Sequence, residues 1–252
     1  MDRRTLTLGT AVAWFIALSC APSTSRGADT HRASTTARFL RVSGADVVPE
    51  TEIHLTRTKN GSVVTSTTQR GEQKLTVISR YDSQNGLTEA RVTSQQGTVA
   101  QSAEVRVTGR TAHVMRDGQR PDEIRCPAGV IVTSAPDWTD SFMAVQRYDP
   151  RGSETQKFAG LWIHPTRQPV ALTLKLTRLG HDTVIRQEKS AKLDRLLLVL
   201  RAGSRYVVWR NQQGQLVRLV PATTGRGGIV LTGWERATRN LKPRLTANAS
   251  NK

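Results

Sequence analysis

Side chains able to act as nucleophile, general base or metal ligand are sparse in this sequence and far apart. The histidines are His31, His54, His113, His164 and His181; none stands four residues from another, the spacing that sets two imidazoles on one helix face, and no Cys-x-x-Cys occurs. The Gly-x-Ser-x-Gly turn that presents a hydrolase serine is missing as well. Gly225-Arg226-Gly227-Gly228 is glycine-rich and basic, but it lacks the Lys-Ser/Thr pair of a phosphate-cradling loop and leads into an apolar segment, so it reads as a hairpin turn. Cys126, in Ile124-Arg125-Cys126-Pro127, has no partner at ligand spacing and reads as a buried structural thiol. His164 follows Leu161-Trp162-Ile163 and reads as an exposed histidine at a strand end. The expectation is a protein with no catalytic residue, no metal and no cofactor, that is, not an enzyme.

What remains is aromatic and basic, and it suits binding. Trp138, Phe142, Val145 and Tyr148 recur at helical spacing. Trp138 and Phe142, together with Trp209, are candidates to line a site for an apolar ligand, although a helix packing its apolar face on a sheet accounts for the same spacing. Lys and Arg number 37 against 20 Asp and Glu, a formal net charge of +17. That excess calls for an anionic neighbour, unless it reflects only an arginine-rich proteome. Most of the basic residues are interspersed with polar ones, but Arg236, Arg239, Lys242 and Arg244 cluster near the C-terminus with Glu235 alone opposing them, and these four are the candidates for an anionic head group.

Positioning these residues falls to strands. From Ile53 onward, short runs rich in Val, Thr and Ile are separated by Gly and Asx turns about every ten residues, which predicts a sequential antiparallel sheet of about ten strands. Asn85-Gly86 is the clearest turn, because both residues tolerate φ > 0. Ala135-Pro136-Asp137 predicts a helix start, and Asp149-Pro150-Arg151-Gly152 its end, giving one short amphipathic helix. Strands resume at Phe158 to Ile163, Val170 to Leu179, Asp182 to Gln187, Arg205 to Trp209, Gln215 to Val220 and Ile229 to Trp234. Ala191 to Arg201 has leucines at helical offsets, yet its neighbours and length favour a strand.

The first residues read as an export address. Arg3 and Arg4 precede an apolar run from Leu6 to Leu18, and small residues follow. Ala17-Leu18-Ser19-Cys20 resembles a lipobox, which makes Cys20 the lipidation candidate; cleavage after Ser25-Arg26-Gly27 is the alternative. Acylation would tether the domain to a membrane. The expected organisation is a signal peptide over residues 1–27 (1–19 for a lipoprotein), a flexible leader over 28–52, an antiparallel β half-barrel over 53–236 and a basic flexible tail over 237–252. In the periplasm or outside the cell such a basic protein meets phospholipid head groups or acidic polysaccharide rather than nucleic acid.

Three segments carry a family resemblance. The strand-turn-strand Arg205-Tyr206-Val207-Val208-Trp209-Arg210-Asn211-Gln212-Gln213-Gly214-Gln215-Leu216-Val217-Arg218-Leu219 is similar to one near the end of bacterial envelope half-barrel domains. Tyr81-Asp82 to Gly86-Leu87 resembles an earlier turn of the same group, as does a helix between two sheet halves, here near Trp138 to Tyr148. These are periplasmic families of unknown function that resemble the outer-membrane lipoprotein carrier and its receptor. The resemblance implies a mainly β fold: one large, strongly curved antiparallel sheet with a short helix packed against its concave apolar face, which can hold acyl chains. The expected function is binding of a lipid or other anionic amphiphile; the alternative is a non-catalytic structural or docking component of the cell envelope, in contact with a membrane surface or an envelope protein.

Overall fold

Sequence neighbours pair antiparallel in two successive meanders in the computed structural model, and the first and last strands then join the two. The structure describes residues 33–44, 46–200 and 203–245, all within a compact unit that begins at His31. The segment read as a signal peptide, including Cys20, lies outside the described residues, as do 246–252 of the predicted tail. The first meander comprises β1 (Ala33–Ser43), β2 (Asp46–Thr58), β3 (Gly61–Arg70), β4 (Gln73–Asp82), β5 (Leu87–Gln96), β6 (Val99–Thr108), β7 (Thr111–Arg116) and β8 (Asp122–Arg125). Next come β9 (Ile131–Thr133) and α1 (Thr139–Arg147). The second meander is β10 (Thr155–His164), β11 (Arg167–Arg186), β12 (Lys189–Val199), β13 (Arg205–Arg210), β14 (Leu216–Pro221) and β15 (Ile229–Leu231), followed by the single turn α2 (Glu235–Thr238).

Among the described residues these strands make one 15-stranded sheet, running from β8 down to β1, across to β15 and on down to β9. Phe39 faces Leu231 and Arg41 faces Ile229 at the junction, and the β9–β10 pair is parallel. The sheet curls until β8 packs back against β11 and β6 against β10, although no ladder joins them. The result is a mainly β, open half-barrel whose free edges are β8 and β9, as expected from the sequence.

Alternation explains the curl's two faces. In β4, Leu75, Val77, Ser79 and Tyr81 are buried while Lys74 and Arg80 are exposed, and β5 to β7 continue the same pattern through Val92, Val105 and Val114. A strand buried on one side only shows this period of two. The inward residues join Phe142, Met143, Ala144 and Val145 of α1 in one core, with the Phe142 ring edge-on to Phe39 of β1 at 6.5 Å. β13 and β14 instead read as unbroken apolar runs, Val207-Val208-Trp209 and Leu216-Val217, because both faces are covered there. A second cluster on the outer face gathers Leu193, Val207, Trp209, Val217, Val230 and Trp234, with Leu40, Val42, Ala237 and Leu241 packed over it.

Several expectations need correction. The predicted leader over 28–52 holds β1 and the start of β2. Its Ser/Thr-rich composition resembles a linker, but β1 has a ladder partner on each side, which satisfies its backbone groups. The first residues of the predicted tail include packed Ala237, buried Thr238 and packed Leu241, and these dock on the outer face. Val170 to Leu179 and Asp182 to Arg186 are parts of one 20-residue strand, β11, interrupted by a bulge beside Gly180, and Gln187 falls in the turn that follows. Ala191 to Val199 is strand, as the reading favoured, and Arg201 lies outside the described residues.

Candidate functional site

The half-barrel is plugged by α1, and a cavity remains at one mouth, beside the N-terminal end of the helix. There the segment from Thr133 to Asp140 meets the ends of β3, β10, β11, β12 and β13 around a cavity of about 400 Å³. Ser134 to Trp138 turns tightly, with the Asp137 N–H donating to the Ser134 carbonyl. Trp138 precedes the first helical residue and makes no side-chain cap; the Asp137 carboxylate accepts the Thr139 N–H at 3.1 Å and serves one orphan donor of the helix start instead.

Two buried carboxyls form the floor. Asp137 accepts from Ser66 Oγ at 2.5 Å and Thr68 Oγ1 at 3.1 Å, hydroxyls that β3 turns inward where neighbouring strands carry apolar groups. Burial pushes its carboxyl up, and these hydrogen bonds work against that shift. Asp140 accepts from Thr133 Oγ1 at 2.5 Å and from the Ser141 N–H and Oγ. Burial pushes Asp140 up to about 6, opposed by the Thr133 hydrogen bond and helped by the charge of Asp137. Beside them Ser134 is buried, and its Oγ has no hydrogen-bond partner among the described residues.

The walls are aromatic and aliphatic. Trp138 meets Tyr206 edge to face, with ring centroids 5.8 Å apart and planes at 87°, and Trp162, Leu172 and Leu200 complete the lining. Burial raises the Tyr206 phenol, and the negative charge of Asp140 adds to the shift. Glu50, on β2, organises the entrance: its Oε1 accepts from the Arg70 guanidinium and, at 3.2 Å, from Trp138 Nε1. Arg70 is thereby committed to a carboxylate, whereas Arg167 at the rim is exposed and has no ion pair among the described residues. The arrangement offers apolar walls, a hydrogen-bonding floor that accepts more than it donates and, among the described residues, one uncommitted cation at the opening.

The residues singled out from sequence scatter across this geometry. Trp138 does line the cavity. Phe142 does not: it is core, because the helix spends its apolar stripe on filling the inner face. Trp209 is buried, but on the outer face, since Tyr206 and Val208 of the same strand point inward and the alternation sends Val207 and Trp209 the other way. Its Nε1 donates to Asp182 at 2.8 Å. Arg236 and Arg239 line a different pocket on the outer face, and Lys242 and Arg244 are exposed beyond it. The apolar and basic candidates therefore do not share one site. His164 is half-buried, stacked on Trp162 at 5.5 Å, and its pKa is lowered by burial and by Arg167. Cys126 is a buried free thiol, pushed up by burial, which suppresses the reactive thiolate. Among the described residues no group of three or more His, Cys, Asp and Glu side chains is placed to hold a metal ion.

Glu50, Arg70, Asp140 and Tyr206 escaped the sequence reading. Glu50 sits in the stretch read as leader, and the Asp137–Asp140 pair gains its meaning only from Ser66 and Thr68, about seventy residues away. The one legible signal was the polar inward register of β3, a strand with hydroxyls where its neighbours carry Val and Leu.

The fold and cavity define a class: an open, β-barrel-like half-barrel plugged by one helix. No protein-family model matches the chain, and no curated protein matches it. Two solved structures are similar to it over most of its length. One is a β-barrel-like protein of domain of unknown function DUF1849 from Brucella abortus, at 5% identity and TM-score 0.50, covering 79% of this chain and 94% of that one. Another is a DUF1089 family protein from Pseudomonas aeruginosa, at 16% identity and TM-score 0.42, covering 82% of this chain and 95% of that one.

Proposed function

We propose that this is an exported protein of the cell envelope that holds a lipid-like or other amphiphilic ligand, and that the ligand enters the mouth cavity rather than the centre of the concave face. The observation that carries the reading is the cavity itself: about 400 Å³ walled by Trp138, Trp162, Leu172, Leu200 and Tyr206, within the ~300–1,000 Å³ range of small-molecule sites. An apolar segment buried there gains ~25 cal/mol per Å² of surface removed from water. Arg167 at the rim suits an anionic group, and the floor of Ser134, Asp137 and Asp140 suits a hydroxyl or amide at the inserted end. The Arg3-Arg4 start with its apolar run supports export, and the Ala17-Leu18-Ser19-Cys20 pattern supports anchoring through Cys20. The resemblance read in the sequence to periplasmic half-barrel families, themselves similar to the outer-membrane lipoprotein carrier and its receptor, supports the same reading. With α1 filling the inner face, the ligand here is smaller than a whole diacyl or triacyl anchor.

The test is titration with a fluorescent anionic amphiphile at low and at 1 M salt, using the parent, Trp138→Ala and Tyr206→Ala. Cavity binding keeps residual affinity in salt, where the Debye length falls to ~3 Å, and each variant weakens it about tenfold or more. If affinity vanishes in salt and both variants bind like the parent, the cavity is not the site, and a docking role in the envelope takes its place. Labelled palmitate incorporated by the parent in its native host, and lost in Cys20→Ala, would establish the anchored form.

A further inference from the structure

Four arginines are buried among the described residues, and three of them meet a carboxylate: Arg116 with Asp122, Arg195 with Asp182 and Arg210 with Asp194. The fourth, Arg218 on β14, has none. Its Nη1 donates to the Thr238 carbonyl of α2, and its Nε has no partner among the described residues. It stands on the outer face, in register with Trp209 on one side and Val230 on the other. Burial lowers its pKa, but a guanidinium does not shed its proton in the neutral range. An enclosed cation without a counter-charge is costly, and the other three buried arginines are each answered by an acid.

Arg218 opens into a pocket of about 570 Å³, which Arg226 of the β14–β15 turn and Arg236 and Arg239 of the α2 turn also line. Glu235 is the one acid in that lining, and its Oε1 is engaged by the Gly233 N–H at 3.0 Å. Among the described residues, four arginines thus line this pocket against a single, occupied carboxylate. Val42, Val47 and Val230 add an apolar side, and Val47 is 43% exposed although it is large and aliphatic.

We propose that this pocket is an anion site on the outer face of the half-barrel, built around Arg218 with Arg226, Arg236 and Arg239, and that its ligand is a phosphate monoester or phospholipid phosphate. Several planar guanidinium forks around one pocket suit the several oxygens of a phosphate better than the two of a carboxylate, since each N–H can pair with its own oxygen. The volume exceeds that of a bare ion, and the valines give the remainder of the ligand an apolar surface. The bound phosphate supplies the counter-charge that Arg218 lacks. This site is separate from the mouth cavity and stands whether or not an amphiphile binds there.

The experiment titrates the folded, full-length protein with inorganic phosphate against chloride at matched ionic strength, reading heat and thermal midpoint. The parent is expected to bind, with a midpoint that climbs as phosphate is raised. Binding should weaken at least tenfold in Arg236→Gln/Arg239→Gln, whose side chains are exposed and not needed for folding. In Arg218→Met the phosphate-dependent climb should vanish. A parent midpoint no higher in phosphate than in chloride, or a double variant that binds as tightly as the parent, overturns the site. Two further probes assign the source: glycerol phosphate, and vesicles of phosphatidate in phosphatidylcholine against phosphatidylcholine alone. Retention on phosphatidate vesicles that fails in the double variant marks a lipid head group, and binding of glycerol phosphate without vesicle retention marks a soluble ester.

Discussion

Asp140 keeps its proton more tightly in the folded chain than in the unfolded one, since burial lifts its pKa from 3.8 to about 6. A raised acid pKa stabilises the fold fully below the unfolded value, and that contribution is lost as pH rises through the folded value. The window is pH 4 to 6, and the contribution is about 3 kcal/mol at most. Urea midpoints at pH 4 and pH 7 should therefore differ more in the parent than in Asp140→Asn; equal differences would mean that Asp140 is solvated. Asp137 shifts in the same direction and adds the same sign. Two tryptophans make a second contrast. Trp209 is fully buried with its Nε1 bonded to Asp182, so Trp209→Ala should cost ~3–5 kcal/mol, whereas Trp138→Ala, at the open cavity, should leave the urea midpoint much closer to the parent. A Trp209→Ala midpoint equal to the parent's would contradict the outer cluster. The sequence marked both tryptophans as important but could not tell their faces apart, because Arg205 to Arg210 alternates between two cores that are both apolar.

Turns and hairpins were the legible elements, and the strands with unusual partners were not. Asn85 adopts φ 61°, and the Asp82 carboxylate accepts the N–H of Gly86, which is the local chemistry that an Asn-Gly pair advertises. β1 offers no such signal: its Ser, Thr and Arg are balanced by only a few apolar residues, and its identity as a strand depends on β15 arriving from the other end of the domain. The β14–β15 turn that delivers β15 has a specific weak point. Gly228 sits at φ 82°, and a Cβ there would lie 1.9 Å from the Leu219 carbonyl oxygen. Gly228→Ala is expected to destabilise the protein by about 1–3 kcal/mol or more and to speed amide exchange in β15 and β1 before the remaining strands. Uniform exchange across all strands, or an unchanged thermal midpoint, would show that the turn can relax without disturbing the junction.

At the scale of the molecule, the two meanders share one inner core and one junction, so neither half is expected to unfold alone. Phe39 of β1 touches both: it pairs with Leu231 across the junction and packs against Phe142 of the plug. Phe39→Ala should therefore cost ~3–5 kcal/mol and raise amide exchange in β4–β5 and β13–β14 together; a change confined to one half would mean two independent units. The strand order that makes this unity possible also sets a timetable. The Thr232 hydroxyl and N–H both reach the Arg38 carbonyl across a separation of 194 residues, near the full span of the described chain. Contacts this distant form late and slowly, because the loop-closure entropy is spent before they are made. A chain emerging N-terminus first thus carries β1 as a bare sheet edge for nearly its whole synthesis or translocation, open to pairing with the wrong strand. The last short strand, Ile229–Leu231, is the piece that ends that exposure, and a protein clipped just before it is expected to aggregate rather than persist as a smaller barrel.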